Sequence, residues 1–290
     1  MQRVEREGEL LEIREMLTVE LDFALSLTES VGWSSIRKDF EELLLFDQHG
    51  CFVGEEDGVP VGMVCALSYG PFGTIGNLIV VDDYRGQGRG ALLMEHAMEY
   101  LRSSKGTEAM MLDSVPAAVP LYERLGFKKV CRSLRFAGRV EPRRSPIVRP
   151  MEGKDLMHIL SIDRKHFGAS RFLFISSGLA ANPELSRVIE VDGDIVGYVM
   201  GSERYGHVRL APWVMSNHFK LAEEILRDFA VQAGGRMIKL GVLESSRRAI
   251  GVLKVCGLLE KDASWRMVLG TDEKPEFSDG LFAIGSPMRG

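Results

Sequence analysis

The chain has little cysteine. Cys51, Cys65, Cys131 and Cys256 are the only four in 290 residues, and none stands in a C-x-x-C pair or pairs with histidines at metal-ligand spacing. That argues against a disulfide framework or a zinc site and points to reduced thiols in the cytoplasm. Long apolar runs are missing as well. No stretch approaches the ~20 residues a membrane span needs, and the charged start Met1-Gln2-Arg3-Val4-Glu5-Arg6-Glu7 is unlike a signal peptide. Nor is there excess positive charge: 36 Lys and Arg against 41 Asp and Glu leave −5, so nothing overall invites nucleic acid or an anionic membrane. The glycine-rich turn Gly86-Gln87-Gly88-Arg89-Gly90 lacks the Lys-Ser or Lys-Thr of a Walker loop. Its glycines alternate, unlike the G-x-G-x-x-G of a dinucleotide fingerprint.

What is present is an ordinary globular composition, 45% apolar and 27% charged, in a length that suits one large or two ordinary domains. The glycine turn leaves a predicted strand, Thr74-Ile75-Gly76-Asn77-Leu78-Ile79-Val80, rich in β-branched and aliphatic residues. It opens a predicted helix in which Leu93, Ala97 and Leu101 recur every four residues with Met94 and Met98. Glycines let the backbone turn tightly there, and amides at a helix start favour an anion. The residues predict a phosphate cradle.

Arg85, Gly88 and Gly90 form R-x-x-G-x-G five residues after Val80, a pattern that resembles the pyrophosphate loop of the GNAT superfamily of acyl-CoA N-acyltransferases. A second segment, Ala118-Val119-Pro120-Leu121-Tyr122-Glu123-Arg124-Leu125-Gly126-Phe127, is similar to the A-x-x-L-Y-x-x-x-G-F of the same family. There the tyrosine protonates the departing thiolate, a role the resemblance gives to Tyr122. It also implies acetyl-CoA as cosubstrate, without a metal. Cofactor contacts would come from the splayed strand (Leu78, Ile79 and Val80, with the Val80 amide facing the carbonyl oxygen) and from Arg85, Gly86, Gln87, Gly88, Arg89, Gly90 and Ala91. One departure concerns the pantetheine-touching asparagine often found seven residues before the tyrosine. Val115 stands there, so Asp113 or Ser114 makes the contact or it is lost.

The general base is less well marked. No glutamate lies between Tyr69 and Glu95. Asp82 and Asp83 read as solvated turn carboxylates, and Glu55, Glu56 and Asp57 as exposed hairpin residues beside Gly58. Asp113, at a strand end, is the candidate base, with a water relay as the equal alternative. Trp33 is either a wall of the acceptor pocket or a core anchor. His49 sits in a turn and is given no role, and His158, His166, His207 and His218 show neither metal spacing nor a neighbouring nucleophile.

The chain also repeats itself. Ile13-Arg14-Glu15-Met16 resembles Val148-Arg149-Pro150-Met151 (148 − 13 = 135), and Gly58-Val59-Pro60-Val61-Gly62 resembles Gly193-Asp194-Ile195-Val196-Gly197 at the same offset. Gly126-Phe127 matches Gly257-Leu258 at 131. Each copy reads strand, one or two helices, hairpin, strand, helix, strand, helix, strand. The expected fold is α/β (α+β): two tandem GNAT-like domains, each a mixed, mostly antiparallel twisted sheet flanked by helices. The polar, proline-bearing stretch 139–146 reads as a linker between domains 1–138 and 147–290. The second copy has Leu210 to Phe219, without glycine, where the first has Arg85 to Gly90, and Leu253 opposite Tyr122. Only the first domain is therefore expected to bind acyl-CoA. The resemblance is specific over roughly residues 60–130 and holds at the level of pattern over 147–290. It implies an N-acetyltransferase acting on a small-molecule amine, in the cytoplasm, with a homodimer as one oligomeric option. The rival readings are transfer of another acyl group or to a peptide or protein amine, and a non-catalytic acyl-CoA sensor.

Overall fold

A computed structural model describes residues 2–6, 9–270, 278–286 and 288. The first half runs β1 (Gln2–Arg6), β2 (Glu9–Glu15), α1 (Leu21–Ser30), α2 (Arg37–Phe46), β3 (Cys51–Glu56), β4 (Val59–Ser68), β5 (Gly73–Val80), α3 (Arg89–Glu99), β6 (Met110–Ser114), α4 (Val119–Arg124) and β7 (Lys128–Gly138). The second runs β8 (Val148–Pro150), α5 (Leu156–Phe167), α6 (Phe172–Ala181), β9 (Arg187–Val191), β10 (Asp194–Arg204), β11 (His207–Met215), α7 (Ala222–Ala233), β12 (Met237–Leu243), α8 (Arg247–Val255), β13 (Leu259–Leu269) and a short β14 (Leu281–Ala283). From β2 and β8 onward the two halves repeat one order.

Local chemistry shows why the repeat survives. Asp57 and Gly58 join β3 to β4 with φ of 49° and 78°, and Asp192 and Gly193 join β9 to β10 with 53° and 88°. Two residues at positive φ make the type I′ turn that tight hairpins favour. An ion-pair triad is duplicated as well. Arg14 holds Glu20 at 2.7 Å and Glu55 at 2.6 Å, while Arg149 holds Asp155 at 2.7 Å and Glu190 at 2.9 Å. Each member of the second triad stands 135 residues after its counterpart (149 − 14 = 135). The sequence periodicity is thus carried into side-chain contacts.

Packing sorts the chain into two compact units. The first holds the described residues up to Leu112 with Ala118–Lys128 and Val268–Gly270; the second holds Asp113–Ala117, Lys129–Met267 and the described residues after Gly270. Residues 129–138 therefore pack with the second copy. There β7 pairs antiparallel with β12, from Ile238 opposite Gly138 to Leu243 opposite Ser133. The stretch 139–146 is fastened in the same unit, with the Ser145 amide donating to Asp228 at 3.2 Å and Arg143 on Glu224 at 2.7 Å.

In the first unit the sheet order is β1-β2-β3-β4-β5-β6, antiparallel except for β5 and β6. Gly54 and Gly62 admit the α3 side chain Leu93: a Cβ at Gly62 would lie 3.0 Å from it. The second unit follows β13-β7-β12-β11-β10-β9-β8, with β14 beside β11. Its core packs Ile225, Leu226 and Phe229 of α7 with Val199, Val208 and Leu210 of the sheet. Each unit is a mixed, mostly antiparallel α/β fold flanked by helices.

Candidate active site

The parallel strands β5 and β6 pair only at Gly73–Met110 and Thr74–Met111, then part. A register shift opposite Val64 brings Asn77 to φ 52°, a bulge that re-aims the strand. Beyond it, Val80 stands opposite Gly62, next to the 2.8 Å bond from the Val81 amide to the Val61 carbonyl. Ladder alternation then turns the Val80 amide away from β4, toward the side where β6 has parted. The same alternation gives Ile79 to β4. Of the three strand residues expected to meet a cofactor, Val80 has its amide aimed outward, Ile79 uses its own in the sheet, and Leu78 lies in the bulge.

A single-turn 3₁₀ segment, Asp82–Tyr84, follows, and then the glycines. Gly86 and Gly88 take φ of 79° and 87°, and a Cβ on either would meet nothing within 4 Å. Steric crowding inside the protein does not demand glycine here; the left-handed backbone does, and the bare surface suits an incoming anion. Gly88 caps α3, with the Ala91 amide on its carbonyl at 2.9 Å. Ala91, expected to offer its amide to a cofactor, thus uses it in the first helical turn. The amides of Arg89 and Gly90 precede any i−4 partner within α3.

The two arginines of this segment behave differently from expectation. Arg85 is half-exposed, donates its Nε to the Val80 carbonyl at 2.8 Å and ion-pairs with Asp82 at 2.7 Å. Arg89 is only 5% exposed. Its guanidinium grips Glu56, with Nη2 to Oε2 at 2.7 Å, and reaches the Gln87 side chain. Arg89 therefore faces the protein interior and not a ligand, and Glu56 is an ion-pair partner, not a free hairpin carboxylate. The exposed Gln87 remains at the loop tip.

Tyr122 sits on α4, which ends in a Schellman arrangement: Phe127 N–H on the Tyr122 carbonyl at 2.9 Å, Gly126 N–H on Glu123 at 3.0 Å, and Gly126 at φ 92°. The ring is 8% exposed, with Phe127 edge-on at 6.1 Å. Burial pushes its hydroxyl up to about 12, so it is a neutral donor at physiological pH.

Asp113 is corrected by the structure. Its side chain is fully buried, accepts from Arg266 Nε at 2.5 Å and Ser133 Oγ at 2.7 Å, and ion-pairs with Arg135 at 3.3 Å. Burial raises a carboxyl's affinity for its proton, but Arg266 and Arg135 outweigh it and hold Asp113 below the usual aspartate value. Such a group is a poor base. Ser114 is buried too and donates to the Val115 carbonyl at 2.8 Å. Trp33 is 40% exposed, which fits a wall better than a core anchor. Among the described residues no group of three or more His, Cys, Asp or Glu could hold a metal ion, and no helix is long and apolar enough to cross a membrane.

Residues 15–127 match the model of the Acetyltransferase (GNAT) family, and residues 159–283 match that of the Acetyltransferase (GNAT) domain. The chain is a tandem GNAT protein. Its fold is shared with a candidate acetyltransferase from Pyrococcus horikoshii (TM-score 0.83, 22% identity, covering 100% of this chain and 99% of that one). A GCN5-related N-acetyltransferase from Sphaerobacter thermophilus follows at TM-score 0.67 and 17% identity, covering 89% and 95%. A tandem GNAT protein from the clavulanic acid biosynthesis pathway gives 0.62 and 14%, covering 89% and 98%. No curated protein matches the chain. The matches make this tandem GNAT protein a transferase of the acyl-transfer class.

Its second GNAT domain differs at the equivalent place. The connection matching Val81–Gly88, between strand and helix, is Ser216–Leu221, without glycine, while Leu210–Met215, expected in that turn, belong to β11. Strands β11 and β12 pair from His207–Met237 to Arg209–Lys239 and then part, as β5 and β6 do. Here, however, β14 enters. Trp213 pairs with Ala283, the Met215 amide donates to Gly280 at 2.9 Å, and the Ile284 amide donates to Gly241 of β12 at 3.0 Å. Phe282 is fully buried between Trp213 and Phe219, and Ser246, at the start of α8, donates its hydroxyl to the Leu281 carbonyl at 3.0 Å. The chain's own backbone fills the parting of the strands. Leu253, the counterpart of Tyr122, is fully buried on α8. The only sign of β14 in the sequence is the apolar Leu281-Phe282-Ala283-Ile284 between two glycines.

Proposed function

We propose that the first GNAT domain transfers the acetyl group of acetyl-CoA to the amine of a small molecule, by direct attack with both substrates bound. The observation that carries this reading is the conjunction in one unit of a left-handed glycine loop opening α3 and a buried, protonated Tyr122. Gly86 and Gly88 leave space that a Cβ would fill, and the α3 amides with the helix dipole suit a pyrophosphate.

Each part has a chemical task. The loop anchors the nucleotide end and fixes the thioester's depth, which supplies proximity. The Val80 amide, turned out of the β4 ladder, faces the carbonyl oxygen as charge gathers there. Tyr122 keeps its proton through the neutral range and donates it toward the departing sulfur. Strand β5 carries no carboxylate, and Asp113 is committed to its arginines, so the amine proton leaves through water. Trp33 offers an apolar wall for the acceptor. The second GNAT domain carries no acyl-CoA, because β14 and the glycine-free turn take that place.

Thiol release from acetyl-CoA, measured against a panel of amines, polyamines, amino acids and aminosugars, tests the proposal. Tyr122→Phe should leave acetyl-CoA affinity nearly unchanged and cut turnover by about 10 to 10⁴-fold. Equal turnover in variant and parent would remove Tyr122 from the mechanism. Tight acetyl-CoA binding with no acceptor in the whole panel would favour a sensor.

A further inference from the structure

Arg89 occupies the heart of the glycine loop yet is turned away from solvent. At the first position of α3 a buried cation opposes the positive end of the helix dipole, so its placement calls for a counter-charge. Glu56, the last residue of β3, supplies it: Nε and Nη2 of Arg89 address the two carboxylate oxygens in a fork, the second at 2.7 Å, and the Glu56 side chain is 14% exposed. The third nitrogen, Nη1, bonds the Gln87 side chain and lies 3.4 Å from the Tyr84 carbonyl. The guanidinium also covers the Tyr84 ring, 5.3 Å from its centroid. One side chain thus ties the start of the loop, its tip and the helix start to the β3–β4 hairpin. The loop needs such a tie, because Gly86 and Gly88 have the widest conformational freedom to lose on ordering.

We propose that Arg89, paired with Glu56, is a positioning residue that braces the glycine loop so that its amides meet a pyrophosphate, and does not bind that pyrophosphate itself. This rests on the acyl-CoA reading above. The brace makes a prediction of unusual sign. Removing the Glu56 charge beside an anion site should, on electrostatics alone, tighten the binding of an anionic nucleotide. The brace demands the reverse, since a neutral amide cannot hold the guanidinium fork. Arg89→Lys sharpens the contrast: it keeps the charge and loses the fork, which a simple phosphate contact would tolerate and a bidentate brace would not.

The test uses the full chain. Acetyl-CoA affinity by calorimetry, steady-state kinetics and amide hydrogen exchange over residues 82–92 are compared in the parent, Glu56→Gln and Arg89→Lys, with melting curves to confirm folding. Both variants should bind acetyl-CoA about ten- to a hundredfold more weakly, with KM rising in step and kcat within about threefold. Their loop amides should exchange faster without any ligand. Equal or tighter binding by Glu56→Gln, or loop exchange unchanged in both variants, would overturn the brace. A parent that binds no acetyl-CoA would overturn the functional reading instead, while the exchange measurement would still decide whether the pair orders the loop.

Discussion

Replacing Asp113 with asparagine separates two accounts of the same residue. The carboxylate has no solvent exposure, and its oxygens take Arg266 at 2.5 Å, Ser133 at 2.7 Å and Arg135 at 3.3 Å. Asparagine keeps the shape and one acceptor oxygen but leaves the nearly buried Arg266 without its charge partner. Breaking a buried pair from one side costs about 3–5 kcal/mol, and the retained acceptor argues for the low end, about 3. For a unit of this size that is a fall of roughly 6–12 °C in melting temperature. The sign of the pH effect follows from the depressed folded value. Asp113 stabilises the protein above the unfolded aspartate value of about 3.9, and that contribution is lost as pH falls through the lower folded value. Parent and variant melting temperatures should therefore lie far apart at pH 7 and converge in strong acid. Turnover per folded molecule should stay within about threefold at 20 °C. A general base would behave in the opposite way: removing it costs about 10² to 10⁴ in kcat with stability almost untouched. An Asp113→Asn protein that melts like the parent but has lost its turnover would refute the structural assignment.

Three further perturbations probe the rest of the arrangement. Gly88→Ala places a Cβ at φ 87°, so calorimetry should show acetyl-CoA binding weakened about tenfold through loop strain, with the melting temperature lowered only slightly. Phe282→Ala empties a fully buried site between Trp213 and Phe219; denaturant titration should show a loss of about 3–5 kcal/mol, and acetyl-CoA binding to the remaining folded protein should be unchanged. Because burial holds the Tyr122 hydroxyl up to about 12, a kcat profile between pH 7 and 10 should show no fall from loss of its proton; a basic limb near 9 that disappears in Tyr122→Phe would contradict the burial argument.

Much of the architecture was legible because it rests on local chemistry. Asp-Gly turns at 57–58 and 192–193 specify hairpins by themselves, and Arg14 with Arg149 showed the repeat before their partners were known. The glycine loop and Tyr122 were legible for the same reason, each being a short contiguous segment. What escaped depends on partners far apart in the chain. Arg266 lies 153 residues from Asp113, and nothing near Asp113 announces it. Glu56, 33 residues from Arg89, looked like one more hairpin acid. The packing of residues 129–138 in the second unit was hidden because β7 and β13 end equivalent copies, and alternation along a strand does not say which neighbour it will pair with. Three residues of β14 are too few to show a period at all.

The most direct measurement is a calorimetric titration of acetyl-CoA into the full chain, repeated with desulfo-CoA to separate binding from turnover. A glycine loop in the first GNAT domain and a β14-filled second GNAT domain together predict one site per chain. Two sites would mean that β14 yields its place to a ligand, and no site would mean that the glycine loop is only a turn.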